Sequence, residues 1–421
     1  MKKIIFLLSP LVLLAGLALM QCQGPTEPDG TDYGVLPRQL TPEEIELAAS
    51  ADRFGLKLFR EVVRQDADNN IFISPLSVSM ALGMTANGAA EATLDSMRAT
   101  LELIDLTEEE SNAAYHSLIE LLTTADAQVQ FDIANSIWYR DIWTFNNDFL
   151  QRCRDYFEAV VRGLDFSDPT AADIINAWVD ENTQGKIKEI VVKPIDPAIV
   201  MFLINAIYFK GTWTYEFDPE ETEDDEFTRL DESKVACRMM AQETSLPYLA
   251  TDQFQAVDLP YGDGIFSMTV LLPRPEVHVD SVVALMTPEN WAAWTGSFDT
   301  TIVLLELPKF TFRYELTMND VLMALGMRLA FDASRADFTR MLPDAELFIS
   351  GVVHKTFVQV DEEGTEAAAV TAGIVGITSG DQPIVTYVRV DRPFVFVIRE
   401  RTSGALLFMG KIVEPVWEGA T

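Results

Sequence analysis

Histidine and cysteine are nearly absent from this chain, at three of each in 421 residues. So small a stock of imidazole leaves little for general acid–base chemistry or for a histidine-rich metal centre. No HExxH, CxxC, Walker-type phosphate loop or GxSxG elbow occurs, so those chemistries lack their motifs. Cys22, Cys153 and Cys237 are too few and too scattered for a disulfide framework. Cys153 and Cys237 read as buried thiols, and stability must come from a packed core.

Basic residues are also scarce, 31 against 65 acidic ones, for a net charge of -34. Nucleic acid and anionic membrane surfaces are thereby disfavoured as partners, because phosphate contacts need clustered Lys and Arg. The longest hydrophobic run, residues 4–20, is short for a membrane span, and Pro10 interrupts it. With Lys2 and Lys3 before it, it reads as an export signal. Leu19-Met20-Gln21-Cys22 looks like a bacterial lipobox whose Cys22 would carry the lipid, although Gln21 departs from the usual small residue there. The alternative is an ordinary secretory signal cleaved nearby. Either way the product is exported, as a cell-envelope lipoprotein or a secreted protein, and a membrane would be met only through that anchor. Residues 1–22 are then the signal and 23–40 a flexible Pro/Gly/Asp-rich tether. Residues 416–421 form a short tail.

What remains, residues 41–415, is apolar enough to bury a large core, since 48% of the chain is hydrophobic. Thr41-Pro42-Glu43-Glu44 predicts a helix start: a capping Thr, Pro in the first turn, and Glu three residues after the cap. The pattern is mostly helical from 74 to about 161, with a strand-like break at 131–139. Beyond 200, short β-rich runs take over at 201–209, 266–272, 301–307, 357–360, 384–390 and 394–398. The last is apolar at every position and so buried on both faces, and Thr402-Ser403-Gly404 turns it back into a terminal hairpin. With no linker and no repeat, this is one α+β domain.

No catalytic constellation emerges. His116 lies in a helical apolar pattern, His278 in a polar connection with no partner in view, and His354 just before a strand. Gly262 and Gly264 read as a hairpin turn. Neither a metal nor a cofactor is expected.

One stretch stands out. Between Glu366 and Asp381 the acidic chain carries no charge. Read with period two, Thr365, Ala367, Ala369, Thr371, Gly373 and Val375 line one face, free of charge and of bulky rings. Such a face can slide between existing strands over a core, and Ala and Gly lose almost no side-chain entropy on burial. Left exposed, the same run is an aggregation hazard, which points to a use.

"EEGTEAAAVTA" (362–372) resembles the hinge of serpins, the serine-protease-inhibitor family. "NIFISPLSVSMALGM" (70–84), "NAWVDENTQGKIKEIV" (176–191), "LINAIYFKGTW" (203–213), "LPKFTF" (307–312) and "DRPFVFVIRERTSGALLFMGKIVEP" (391–415) are similar to the family in the same order. The resemblance implies a serpin fold: one large domain with three β-sheets, eight or nine helices and an exposed reactive loop above a five-stranded central sheet. It implies a protease inhibitor rather than an enzyme, whose cut loop enters that sheet as an extra strand while a serine protease is held as an ester.

The resemblance also implies residue roles. The hinge is Glu362, Glu363, Gly364, Thr365, Glu366, Ala367, Ala368 and Ala369. The attacked bond falls at Thr378–Ser379, or in an alternative register at Ile377–Thr378, with Val375, Gly376 and Ile377 in neighbouring subsites. Small and β-branched residues there fit elastase-like or subtilisin-like proteases. A shutter matches Ser74, Ser77, Asn205 and His354. Trp213 matches the bulky residue at the breach, where insertion starts, and plain core packing serves equally as its reading. A monomer is expected. The competing function is a non-inhibitory binding or carrier protein, against which the unbroken small-residue hinge argues.

Overall fold

The computed structural model of the chain describes residues 33–343, 346–365 and 385–417. Helix α1 (Pro42–Gln65) starts at the capping signal. The Thr41 hydroxyl accepts from the Glu44 amide at 3.3 Å, and the Glu44 carboxylate accepts from the Thr41 amide at 2.7 Å. These reciprocal bonds satisfy donors that a first helical turn leaves open.

A short strand, β1 (Ile71–Ile73), precedes α2 (Pro75–Ala86), α3 (Glu91–Thr100) and α4 (Glu108–Thr123). Then come β2 (Val129–Arg140), α5 (Asn147–Phe157), β3 (Val160–Leu164) and α6 (Ala171–Asn182). The strand-rich half opens with β4 (Met201–Thr212), β5 (Glu223–Thr228), β6 (Lys234–Ala250), β7 (Phe254–Tyr261) and β8 (Phe266–Pro273). Helices α7 (Val279–Leu285) and α8 (Pro288–Thr295) lead into β9 (Asp299–Pro308), β10 (Phe310–Thr317) and α9 (Asn319–Ala324). The chain closes with β11 (Val353–Val360), β12 (Gly364–Thr365), β13 (Thr386–Arg389), β14 (Phe394–Glu400) and β15 (Leu406–Ile412). The described residues thus hold nine α-helices, within the expected eight or nine.

The smaller sheet runs β10-β11-β12-β4-β2-β3, five strands plus the two-residue β12. The larger runs β1-β15-β14-β8-β7-β6-β9-β13, with β5 on β6. The resemblance implied three sheets, but hydrogen bonding joins the described strands into two. The cause is β6, which pairs with β9 over residues 239–248 and with β7 over 248–250. Two sets of strands that would count separately share it. Sequence patterning does not reveal β6, β7, β10 or the three-residue β1, because polar residues interrupt their runs or they are too short.

Strands β14 and β15 are buried at every position, which the apolar run 394–398 predicts and which extends to the charged Arg399, Glu400 and Lys411. Their hairpin turn is closed by the Glu400 carboxylate, which accepts from the Thr402 and Ser403 amides at 2.6 Å each. At the core, Phe72 of β1 stacks on Phe408 at 5.1 Å and on Phe396 at 5.6 Å. Gly410 lies opposite Phe396, where a β-carbon would stand 2.2 Å from the ring. Glycine is there to make room. Gly410→Val therefore overpacks the aromatic core between β14 and β15 and lowers stability by about 1–3 kcal/mol. Chemical denaturation reads this as an earlier midpoint, and a wild-type midpoint would refute the packing argument.

Candidate functional site

Strands β4 and β11 flank β12, and each pairs with it antiparallel: Thr365 faces Gly211 on one side and Val360 on the other. Two strands antiparallel to the same neighbour run parallel to each other. Among the described residues no ladder joins β4 to β11 directly; β12 is what links them. Below it lies a water-sized cavity of ≈ 20 Å³, lined by residues that include Ile207, Phe209, Thr356 and Phe408.

The turn into β12 is tight. The Asp361 amide donates to the Gly364 carbonyl at 3.0 Å, and the Trp213 and Phe217 amides donate to the Glu363 and Glu362 carbonyls at 2.9 Å each. Trp213 reaches across again through its indole N–H, which donates to the Asp361 carbonyl at 2.9 Å. Its ring is buried and stacks on Tyr261, centroids 4.4 Å apart and planes within 12°. The Tyr261 and Thr365 hydroxyls share a 2.6 Å hydrogen bond inside the core. Burial pushes the Tyr261 phenol well above its usual pKa, so the proton of that bond stays in place. Gly364 meets β4 so closely that a β-carbon would sit 2.0 Å from the Gly211 carbonyl oxygen.

Glu362 is buried but paired. Its carboxylate receives Lys309 at 2.5 Å and the Thr222 hydroxyl at 2.8 Å. Burial alone would raise its pKa; the bonds from Lys309, its own backbone and Thr222 outweigh that and hold it below the ordinary value. Lys309 also sits over the Trp417 ring at 4.3 Å, so the first residues of the tail cover this pair. Glu363 goes the other way: burial and the neighbouring Asp361 raise its carboxyl.

The four shutter candidates fall into two groups. Ser74 caps α2, accepting from the Ser77 amide at 3.2 Å and donating to the Leu407 carbonyl at 2.7 Å. Its own amide donates to His354 Nε2 at 3.0 Å. His354 lies within β11 rather than before a strand. Asn205, on β4, makes no hydrogen bond to any of these three. Its amide donates to Asn135 Oδ1 on β2 at 2.8 Å, Asn135 donates to the Phe157 carbonyl at 2.8 Å, and Asn205 Oδ1 is buried without a partner. Glu366, Ala367, Ala368, Ala369, Val375, Gly376, Ile377, Thr378, Ser379 and Cys22 lie outside the described residues.

Sequence reading missed Tyr261, Lys309 and Asn135. Asn135 left a signal, as a lone amide in an apolar strand run. Tyr261 and Lys309 left none, because their partners stand far along the chain. His278 is not partnerless: it caps α7, its Nδ1 accepting from the Asp280 amide at 3.2 Å.

Burial lowers the His354 pKa from 6.5 to about 4, which keeps its ring neutral and able to accept from Ser74. The unfolded chain binds a proton there as the pH drops through 6.5, while the folded one resists until about 4. Stability present above pH 6.5 is therefore lost on acidification, by about 3 kcal/mol at most. Denaturant midpoints over this range fall less steeply in His354→Gln than in the wild type; equal slopes would show that His354 does not supply the effect.

The serpin (serine protease inhibitor) family profile matches residues 49–415. Human neuroserpin is 35% identical over 384 residues, covering 89% of this chain and 92% of neuroserpin. Pig leukocyte elastase inhibitor is 34% identical over 381 residues, covering 88% of this chain and 100% of the inhibitor. The crystal structure of the thermophilic serpin tengpin in its native state superposes with a TM-score of 0.80 at 33% identity, over 90% of this chain and 96% of tengpin. With the family pattern running through nearly the whole folded part, this chain belongs to the serpins.

Proposed function

We propose that the chain inhibits serine proteases of elastase-like or subtilisin-like specificity by covalent trapping. The observation that carries this reading is β12, a two-residue strand lodged between β4 and β11 and continuous in sequence with the uncharged run. Carried forward one for one, the register of Thr365 would set Ala372 against Val353 at the foot of β11 and Val375 against Met201 at the foot of β4. About ten residues could thus join the sheet. At a net ~0.5–1.5 kcal/mol per ladder hydrogen bond, insertion releases on the order of 10 kcal/mol. Losing one oxyanion-hole donor alone slows a protease by ~10²–10³. The energy suffices to strand an ester.

In the proposed reaction the protease serine attacks the Thr378 carbonyl. The peptide bond to Ser379 breaks, the new amine of Ser379 leaves, and Thr378 remains esterified to the enzyme. Insertion from Thr365 downward then carries the ester away from the point of attack. The side chain of Thr365 points into the core, so period two turns Ala367, Ala369, Thr371, Gly373 and Val375 inward after it. All are small or aliphatic, as an inward face needs. The carrier alternative requires none of this. Export, with an anchor at Cys22 or without one, would place a monomeric inhibitor outside the cytoplasm.

Elastase incubated with the protein is expected to give an SDS-stable adduct, and protein nicked in the loop to melt at a higher temperature than intact protein. A carrier gives no adduct. Thr365→Arg would place an unpaired charge against Tyr261 in the core, which drives β12 out from between β4 and β11 and denies the loop the start from which it inserts. The variant is expected to be cut as a substrate with the adduct largely lost. An undiminished adduct would overturn the insertion step.

A further inference from the structure

Away from the hinge, α4 carries His116 and Glu120 one helical turn apart, so both side chains share a face. The end of α5 meets that face. Glu158, its C-terminal cap, has left-handed backbone angles of φ 52 and ψ 29. An imidazole nitrogen of His116 and one carboxylate oxygen each from Glu120 and Glu158 all lie within 4.8 Å of one another.

Two details separate this cluster from an ordinary surface ion pair. His116 Nδ1 is shut off from solvent and has no hydrogen-bond partner. It stands 3.7 Å from the Glu158 carboxylate, too far for a hydrogen bond. That spacing suits two ligands of one ion: bonds of about 2.0–2.2 Å to a tetrahedral zinc put neighbouring ligand atoms roughly 3.3 Å apart. The remaining closure needs only side-chain rotation, because both glutamates are exposed. The imidazole is partly open as well, which gives an ion a path in and leaves positions for water.

We propose that His116, Glu120 and Glu158 form a binding site for a divalent cation of the zinc class. One nitrogen and two carboxylates suit zinc, cobalt or nickel. They suit magnesium and calcium poorly, since those prefer all-oxygen shells. The bound ion ties α4 to the end of α5. Phe157, the residue before Glu158, supplies the carbonyl on which Asn135 and then Asn205 are strung. The clamp therefore holds one end of the polar chain that crosses from β2 to β4. Sequence spacing gave no warning of the site, because the third ligand comes from another helix.

The scarcity of histidine makes the test clean. Besides His116 the chain has only His278, an exposed helix cap, and His354, which is buried. Zinc is titrated calorimetrically into the full chain in excess magnesium, which occupies the acidic surface non-specifically. Cobalt absorption then reports the coordination. One site per chain is expected, with a zinc-dependent rise in melting temperature. His116→Ala should weaken binding by about tenfold or more, since even second-shell partners of metal ligands are worth that much. E158Q should weaken it too, and His278→Ala should leave it unchanged. The metal-free melting temperature of His116→Ala checks that the variant folds. Equal zinc binding by wild type and His116→Ala, or a loss that follows His278→Ala instead, would overturn the assignment.

Discussion

The smaller sheet depends on a wedge two residues long. Gly364 and Thr365 pair with β4 on one side and β11 on the other, and they supply the ladder between those strands among the described residues. So short a ladder cannot hold itself. It is fixed by what surrounds it: the Trp213–Tyr261 stack beneath, the Tyr261–Thr365 hydroxyl pair, and the Glu362–Lys309 pair behind the turn. The ion pair is almost fully covered, at 10% and 14% side-chain exposure. Such a pair fixes position more than it adds stability, since desolvating two charges offsets much of their attraction. Breaking it would leave a buried charge unmatched, so the turn has one low-energy place to be.

Lower in the same sheet the polar groups are arranged differently. Ser74 ties Ser77, His354 and the Leu407 carbonyl into one set, while Asn205, Asn135 and the Phe157 carbonyl form another that leaves Asn205 Oδ1 unpaired. A fully satisfied buried network rigidifies a core, whereas an acceptor left unpaired in a low dielectric carries a cost. The top of the sheet is therefore locked by stacking and charge, while its middle keeps one buried acceptor, Asn205 Oδ1, short of a partner.

Much of this was legible in the sequence, for physical reasons that differ by element. The α1 cap was readable because all its partners lie within four residues. The β14–β15 hairpin was readable because burial on both faces leaves residues 394–398 apolar without a break and a Thr-Ser-Gly turn follows. The uncharged stretch stood out because the rest of the chain is so acidic. Long-range partners were not readable. Nothing near Tyr261 signals a bond to a residue 104 positions away, and nothing near His116 signals Glu158. The split of the shutter residues was likewise hidden, since spacing places Asn205 on a strand but does not say which neighbour faces it.

The topology also bears on where insertion energy would come from. Because β4 and β11 each run antiparallel to β12, any ladder drawn directly between them would be parallel, with slanted and slightly weaker bonds. Among the described residues no such ladder stands between them, so a longer β12 would add two antiparallel ladders where β4 and β11 have no direct pairing. On the inhibitory reading, the gain needs no unusual side chain. It follows from a strand order fixed when β4 and β11 take the same direction, and from a loop whose inward face is small enough to enter. The inward face that would enter carries no charge, and Glu366, the one acidic residue of the entering stretch, would fall on the opposite face.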